Sequence, residues 1–384
     1  MRFLAAFILF LISTVVSGQN GFSVGHIEPK QFYEEIPFES VSGLPLVKVI
    51  YEGAERVFLF DTGAQNVLFE EPQNAKNEQR ARIEDSNLNS REAKLVHHQS
   101  FRLGNIHFTE QAFLVSTAED NFMKDCLHIY GIIGSNAVRN AAVKIDYSQQ
   151  KIIIADDVKK ISTAGFSDYK MEKTVKHAVY PYLTLTYDAD KRVEVAYLID
   201  TGFTSGIDLT PKAYEVLKAN GGIRSEEEGT GISALGLYGA NQNADLLRVT
   251  TVPVKIGNAV IENHVIRVSE SQDSKLGYEV LRLLDPIIDF KRNKIYLKNT
   301  ISRPDFPAEE HISIIYRDGK TVVSSLWGYL MDQATIGDEV LEINGQQLQV
   351  ASLCDVILQR PVNGWKTVKL KSGDGKVKVL QRNN

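Results

Sequence analysis

Val57-Phe58-Leu59-Phe60-Asp61-Thr62-Gly63-Ala64 carries an apolar run into an aspartate, and Val195-Ala196-Tyr197-Leu198-Ile199-Asp200-Thr201-Gly202-Phe203 repeats the arrangement in the second half of the chain. In both stretches, four or five strand-favouring residues precede the aspartate and a glycine lets the backbone turn immediately after it. A single Asp-Thr-Gly would turn up by chance in about one chain of this size in twenty, so one copy says little. Two copies in matching surroundings indicate a duplicated unit.

The correspondence extends through about 100 residues around each tripeptide. A strand pair precedes each one, Leu46–Tyr51 with Arg56–Phe60 and Tyr182–Tyr187 with Val193–Ile199. A hairpin with a Gly-Asn turn follows each, at Gly104-Asn105 and Gly257-Asn258. A closing segment ends each unit, and the separation from Gly134 to Asp146 equals that from Gly277 to Asp289, 12 positions in both. Equal spacing predicts equal geometry, a short helix followed by a strand and a polar turn, with Asp146 and Asp289 bonding turn amides. The prediction is two mostly β lobes over 25–160 and 165–299, joined by a polar linker at 162–176 and followed by a separate unit over 300–384.

Two lobes packed about an approximate two-fold axis would bring Asp61 and Asp200 side by side. Carboxylates about 3 Å apart hold one proton between them, so one serves as base and the other as acid. The base can deprotonate a water lying between them while the acid bonds a peptide carbonyl, with neither metal nor covalent intermediate. In this scheme the Thr62 and Thr201 hydroxyls bond backbone across the axis, and Gly63 and Gly202 permit close approach of the two loops.

These residues resemble the pepsin and retropepsin group of aspartic proteases over both lobes, about 275 residues. The resemblance implies one catalytic aspartate per lobe, Asp61 and Asp200, in a single-chain pseudo-dimer acting on peptide or protein substrates without a cofactor or metal. It implies that Ile132-Ile133-Gly134 supports the first active-site loop from behind, and that a flap covers the cleft. The second lobe departs from the pattern, having Lys275-Leu276 before Gly277. Many relatives place Ser or Thr after the tripeptide, where its hydroxyl bonds the carboxylate; here the positions hold Ala64 and Phe203. Losing that donor predicts raised dyad pKa values and an optimum at mildly acidic to neutral pH. Phe203 is a candidate pocket residue. The glycine-rich Gly229–Gly239, with Gly236 and Tyr238, is the flap candidate, whereas 74–95 has a polar, helical look. A catalytically silent peptide-binding protein on the same fold is the alternative reading.

In the last 85 residues, Thr335-Ile336-Gly337-Asp338-Glu339-Val340-Leu341-Glu342-Ile343-Asn344-Gly345 looks like the G-D-x-I-x-x-I-N-G signature of a PDZ domain. Around it Lys320–Leu326 reads as a strand, Leu353–Leu358 as a helix, and Trp365–Leu370 with Val377–Leu380 as a closing hairpin. The resemblance implies a small β-barrel that takes up an extended peptide, often a C terminus.

Residues 1–18 have a basic start, a short apolar core and a small-residue exit, which reads as a cleaved signal peptide, with a retained N-terminal anchor as the alternative, and predicts a periplasmic, secreted or cell-surface protein; two such lobes followed by a PDZ-like domain resemble a bacterial arrangement. No later segment approaches the roughly 18 apolar residues of a membrane span. The net charge of −5 and the scattered basic residues give no reason to expect nucleic acid as a partner. Glu226-Glu227-Glu228 reads as a solvated loop. H-E-x-x-H, C-x-x-C, G-x-S-x-G and P-loop motifs do not occur. Cys126 and Cys354 are two buried thiols or one bridge, and their spacing leaves both open.

Overall fold

The computed structural model describes residues 22–382 apart from 85–88, 118–120, 175–176, 233–234, 237–238, 241–243, 257, 300–305, 307–309, 360–361 and 363. The signal-like segment 1–18 and Tyr238 therefore lie outside the described residues.

The duplicated pattern forms two β lobes. In the first, the strands Leu44–Tyr51 and Ala54–Asp61 form an antiparallel pair, and Gly131–Gly134 runs parallel to the second of them with Phe60 opposite Ile133 and Asp61 opposite Gly134. The second lobe builds the same unit from His177–Asp188, Arg192–Ile199 and Ser274–Leu276, with Leu198 opposite Lys275 and Ile199 opposite Leu276. A parallel strand inserted beside the aspartate-bearing strand is covered on both faces, which is why Phe58, Leu59 and Phe60 are all apolar and at most 1% exposed. Each such side chain contributes about 1.5–3 kcal/mol on burial.

Beneath the lobes lies one shared sheet, in the order Phe166–Lys170, Lys294–Lys298, Ile287–Asp289, Ala142–Asp146, Lys151–Ala155, Tyr33–Val41. Each half contributes three strands, and the halves join where Val143 pairs with Ile288. Residues 166–170, expected within a polar linker, are the outer strand of this sheet; their polar side chains suit an edge with one wet face. The equal spacings of the closing segments are realised as the helices Ser135–Val138 and Tyr278–Leu284 followed by the two central strands. Asp146 accepts from Gln149 N at 3.0 Å, and Asp289 accepts from Arg292 N at 3.1 Å, as turn-binding aspartates should.

Two further expectations change. The charged 74–95 region is not helical but forms the long hairpin of Lys76–Glu84 with Ser90–Leu103. Its first strand is largely exposed and tolerates charge while Ala93, Leu95 and Val96 of the second are buried, and cross-strand pairing such as Arg82 opposite Glu92 outweighs helical propensity. Glu226–Glu228 is not a loop either. It lies in the strand Ile223–Gly231, where Glu227 meets buried Arg248 at 2.5 Å and Glu226 meets Lys218 at 3.0 Å.

The C-terminal region packs its own core around fully buried Trp365, Val368 and Leu370. The strand Lys320–Trp327, the helix Leu353–Gln359 and the hairpin Thr367–Lys371 with Val377–Gln381 fall where the sequence places them. In the signature itself, Asp338 accepts from Thr335 N at 3.1 Å and Asn344 accepts from Lys366 N at 2.6 Å, so both polar residues stitch turns. The region is not detached. Gly229, Thr230 and Gly231 pair with Trp327, Leu326 and Ser325, extending the second lobe's sheet into it. On the other side Cys126, in the first lobe's helix Phe122–Leu127, is disulfide-bonded to Cys354, with Cα atoms 5.0 Å apart. A bridge across a sequence separation of 228 residues restricts the unfolded chain strongly. Replacing both cysteines by serine should lower unfolding free energy by about 2–5 kcal/mol, read from denaturant titration of the oxidised proteins.

Candidate active site

Both Asp-Thr-Gly loops meet where the lobes meet. Thr62 Oγ1 donates to Ile199 O at 2.5 Å and accepts from Thr201 N at 3.2 Å. Reciprocally, Thr201 Oγ1 donates to Phe60 O at 2.8 Å and accepts from Thr62 N at 3.0 Å. Four hydrogen bonds between residues 1% exposed or less fix the spacing of the two loops. Each hydroxyl uses one donor and one acceptor, so only Ser or Thr fills these positions.

The grip sets the carboxyl groups against one another, each beside the glycine of the opposite loop and close enough for the Asp200 charge to act on Asp61. Within each loop the glycine amide turns back to its own aspartate, Gly63 N to Asp61 Oδ1 at 2.8 Å and Gly202 N to Asp200 Oδ1 at 2.9 Å. A Cβ at Gly63 would stand 2.5 Å from Asp200 Cγ, and one at Gly202 would stand 2.3 Å from Asp61 Oδ2. Glycine is required at both positions because the opposite carboxylate occupies the space a side chain would need.

Behind the first loop, Ile132 and Ile133 are buried, Gly134 N donates to Asn66 Oδ1 at 2.9 Å, and Ser135 N donates to Ala64 O at 3.0 Å. Ala64 contributes backbone only. The second lobe's equivalent register position to Ile132 is Lys275, and its Nζ lies 2.9 Å from Asp200 Oδ2. A cationic donor thus reaches the carboxylate whose following residue, Phe203, has no hydroxyl. Phe203 lies beside this pair, with Lys275 Nζ 5.8 Å from its ring centre and its Cδ1 against Gly277. Its ring therefore faces the support strand behind the loop.

Burial and the adjoining Asp200 charge hold the Asp61 carboxyl well above the usual carboxylate range, and the Gly63 amide and Lys275 offset this only in part. Burial works against the Lys275 ammonium, yet Asp200, Asp61 and Asp208 together raise its pKa. Tyr180 lies near Gln65 and Asp61, and burial pushes its hydroxyl up. Lys275, Tyr180 and Gln65 escaped the sequence reading. Lys275 alone carried a signal, a cation where the first lobe has the apolar pair Ile132-Ile133 before its glycine.

Each lobe carries a long hairpin after its Asp-Thr-Gly loop, Lys76–Glu84 with Ser90–Leu103 and Ile223–Gly231 with Ala244–Thr251. Glu84 near the first tip contacts Gln272 of the second lobe. Of the second-lobe flap candidate, Gly229–Gly231 lies in the hairpin strand that also pairs with the C-terminal region, and Gly236 pairs with Gly239 beyond it. Among the described residues there is no cluster of three or more metal-ligating side chains.

No protein-family model and no curated protein matches the chain. Among solved structures it is similar to Basic 7S globulin from soybean, at 12% identity over 70% of this chain and 95% of that one, with a TM-score of 0.43. It is also similar to an aspartic proteinase from Irpex lacteus, at 12% identity over 70% and 98% of the respective chains, with a TM-score of 0.44. The bilobal β fold rests on the duplicated pairings above, independently of these likenesses.

Thr62→Val keeps the shape but leaves Ile199 O and Thr201 N without partners, which should cost about 2–5 kcal/mol by denaturant unfolding. The same change at Thr201 should be strongly non-additive with it. For Asp61 the sign follows from its raised pKa. A carboxyl that binds its proton more tightly folded than unfolded contributes stability below its unfolded value of about 3.9, and that stability is lost as pH rises toward the folded value. Asp61→Asn should therefore lose less thermal stability than the parent between about pH 4 and 7 by calorimetry.

Proposed function

We propose that the chain is an exported aspartic endopeptidase that hydrolyses peptide bonds through a water activated by Asp61 and Asp200. The observation that carries this reading is the reciprocal Thr62–Thr201 hydrogen bonding, which brings buried Asp200 and half-buried Asp61 together at the junction of the lobes. One carboxylate removes a proton from water as the oxygen attacks the carbonyl carbon. The other carboxyl gives its proton to the carbonyl oxygen. The tetrahedral intermediate collapses when the amide nitrogen takes the first proton, the C–N bond breaks, and a hydroxyl proton returns to the second carboxyl. Between the two long hairpins, strand edges would take an extended substrate by backbone pairing.

In this reading residues 1–18 direct export, 25–160 and 165–299 are the catalytic lobes, and 300–384 is a PDZ-like domain for a peptide or partner. The enzyme works as a monomer, its two lobes serving as an intrachain pseudo-dimer. The disulfide between Cys126 and Cys354 supports an oxidising destination. A second reading, peptide binding without hydrolysis, draws on Lys275, whose ammonium bonds one of the carboxylates a water would use.

Incubating the mature protein with a diverse peptide pool from pH 3 to 8 separates the two. Cleavage is expected with an optimum above about pH 4.5, because partial burial and the neighbouring Asp200 charge hold the Asp61 proton to higher pH. Asp61→Asn and Asp200→Asn should each lose at least about a hundredfold in rate. Cleavage that survives in both variants would rule out the dyad, an optimum below about pH 3.5 would contradict the raised Asp61, and no cleavage at all favours the binding reading.

A further inference from the structure

Behind the second loop the polypeptide departs from its own duplicate, and the departure is charged. The first lobe backs its aspartate with Ile132, buried in an apolar cluster. Its second-lobe counterpart is Lys275, on the Ser274–Leu276 strand, with a side chain only 15% exposed and Nζ 2.9 Å from Asp200 Oδ2. Asp200 itself is 4% exposed. Placing an ammonium between buried Ser274 and Leu276 costs several kcal/mol unless an anion accompanies it.

The geometry points to Lys275 as the positioning residue that makes the dyad asymmetric, fixing Asp200 as its standing carboxylate and base and leaving Asp61 as the carboxyl that carries and donates the proton. This deepens the peptidase reading and rests on it. With Lys275 cationic, Asp200 anionic and Asp61 neutral, the three largely buried or half-buried groups sum to zero charge, the arrangement a site shielded from water tolerates best. The raised pKa of Asp61 agrees. In the reaction, Asp200 accepts the water proton while Asp61 gives its proton to the carbonyl oxygen; on collapse, Asp200 returns its proton to the leaving nitrogen and Asp61 is reprotonated from the gem-diol. Lys275 stays protonated throughout, touching neither water nor peptide.

Other charged and titratable groups face this cluster. Asp208, on the Ile207–Leu209 strand, lies near Lys275 and opposite Arg267, and burial raises its pKa. Tyr147 and Tyr180 face the two carboxylates and are held neutral by burial. All four are unchanged in variants of Lys275, so a difference between those variants reports on Lys275.

Two measurements on the full chain test the assignment. The first needs no activity: thermal midpoints at pH 7 of Asp61→Asn and Asp200→Asn, each with and without Lys275→Met. Asparagine mimics a protonated Asp61, so that variant should hold its midpoint. Asp200→Asn strands the ammonium and should lose about 5 °C or more. Adding Lys275→Met should raise the midpoint of Asp200→Asn but lower that of Asp61→Asn. Equal losses in the two aspartate variants, or additive effects of Lys275→Met in both, would overturn the assignment. The second is the pH profile of peptide cleavage. Without the cation the dyad sheds its first proton at higher pH, so Lys275→Met should move the acid limb up by about one unit or more, and Lys275→Arg should leave it in place. An acid limb unmoved in Lys275→Met would overturn the role in catalysis. A parent protein that cleaves nothing would defeat the peptidase reading, while the midpoints would still decide where the charge sits.

Discussion

Everything in the site depends on two threonine hydroxyls. Thr62 and Thr201 each reach across to the other lobe, and each both donates and accepts. Because the four bonds are buried and mutually required, the loops have one spacing rather than a range. The glycines that follow leave each carboxylate the space a side chain would fill. The approach of the two carboxyl groups is a consequence of this grip rather than a separate feature.

Duplication explains the grip and sets its limits. The same strand pair, parallel insert, helix and closing strand occur twice, and the halves fuse in one sheet beneath the site. Symmetry ends at the support strand. Ile132 in one lobe and Lys275 in the other occupy the same register and impose different surroundings on chemically identical aspartates. The C-terminal region adds a second asymmetry. It extends the second lobe's hairpin strand through Gly229–Gly231 and is bonded to the first lobe through Cys126. Both lobes are therefore tied to one further body as well as to each other.

Much of this was legible in the sequence because it is local and repeated. The tripeptides, the equal spacing to Asp146 and Asp289, and the strands of the C-terminal region are short-range patterns that the structure reproduces. What escaped was set by partners far along the chain. The 76–103 hairpin has helix-like composition but is decided by cross-strand pairing. Glu227 reads as solvated until Arg248 is seen beside it. The disulfide and the Gly229–Trp327 pairing join segments that no periodicity connects. Lys275 was visible as a departure from the Ile132-Ile133 pair of the first lobe, but its meaning required Asp200 at 2.9 Å.

The central claim is that the grip holds two carboxyl groups around a single proton at neutral pH. Neutron diffraction from deuterated crystals grown near pH 7 tests it most directly. The account predicts one deuteron between the carboxyl groups, bonded to Asp61, and three on Lys275 Nζ. Two bare carboxylates, or aspartates too far apart to share a deuteron, would contradict it.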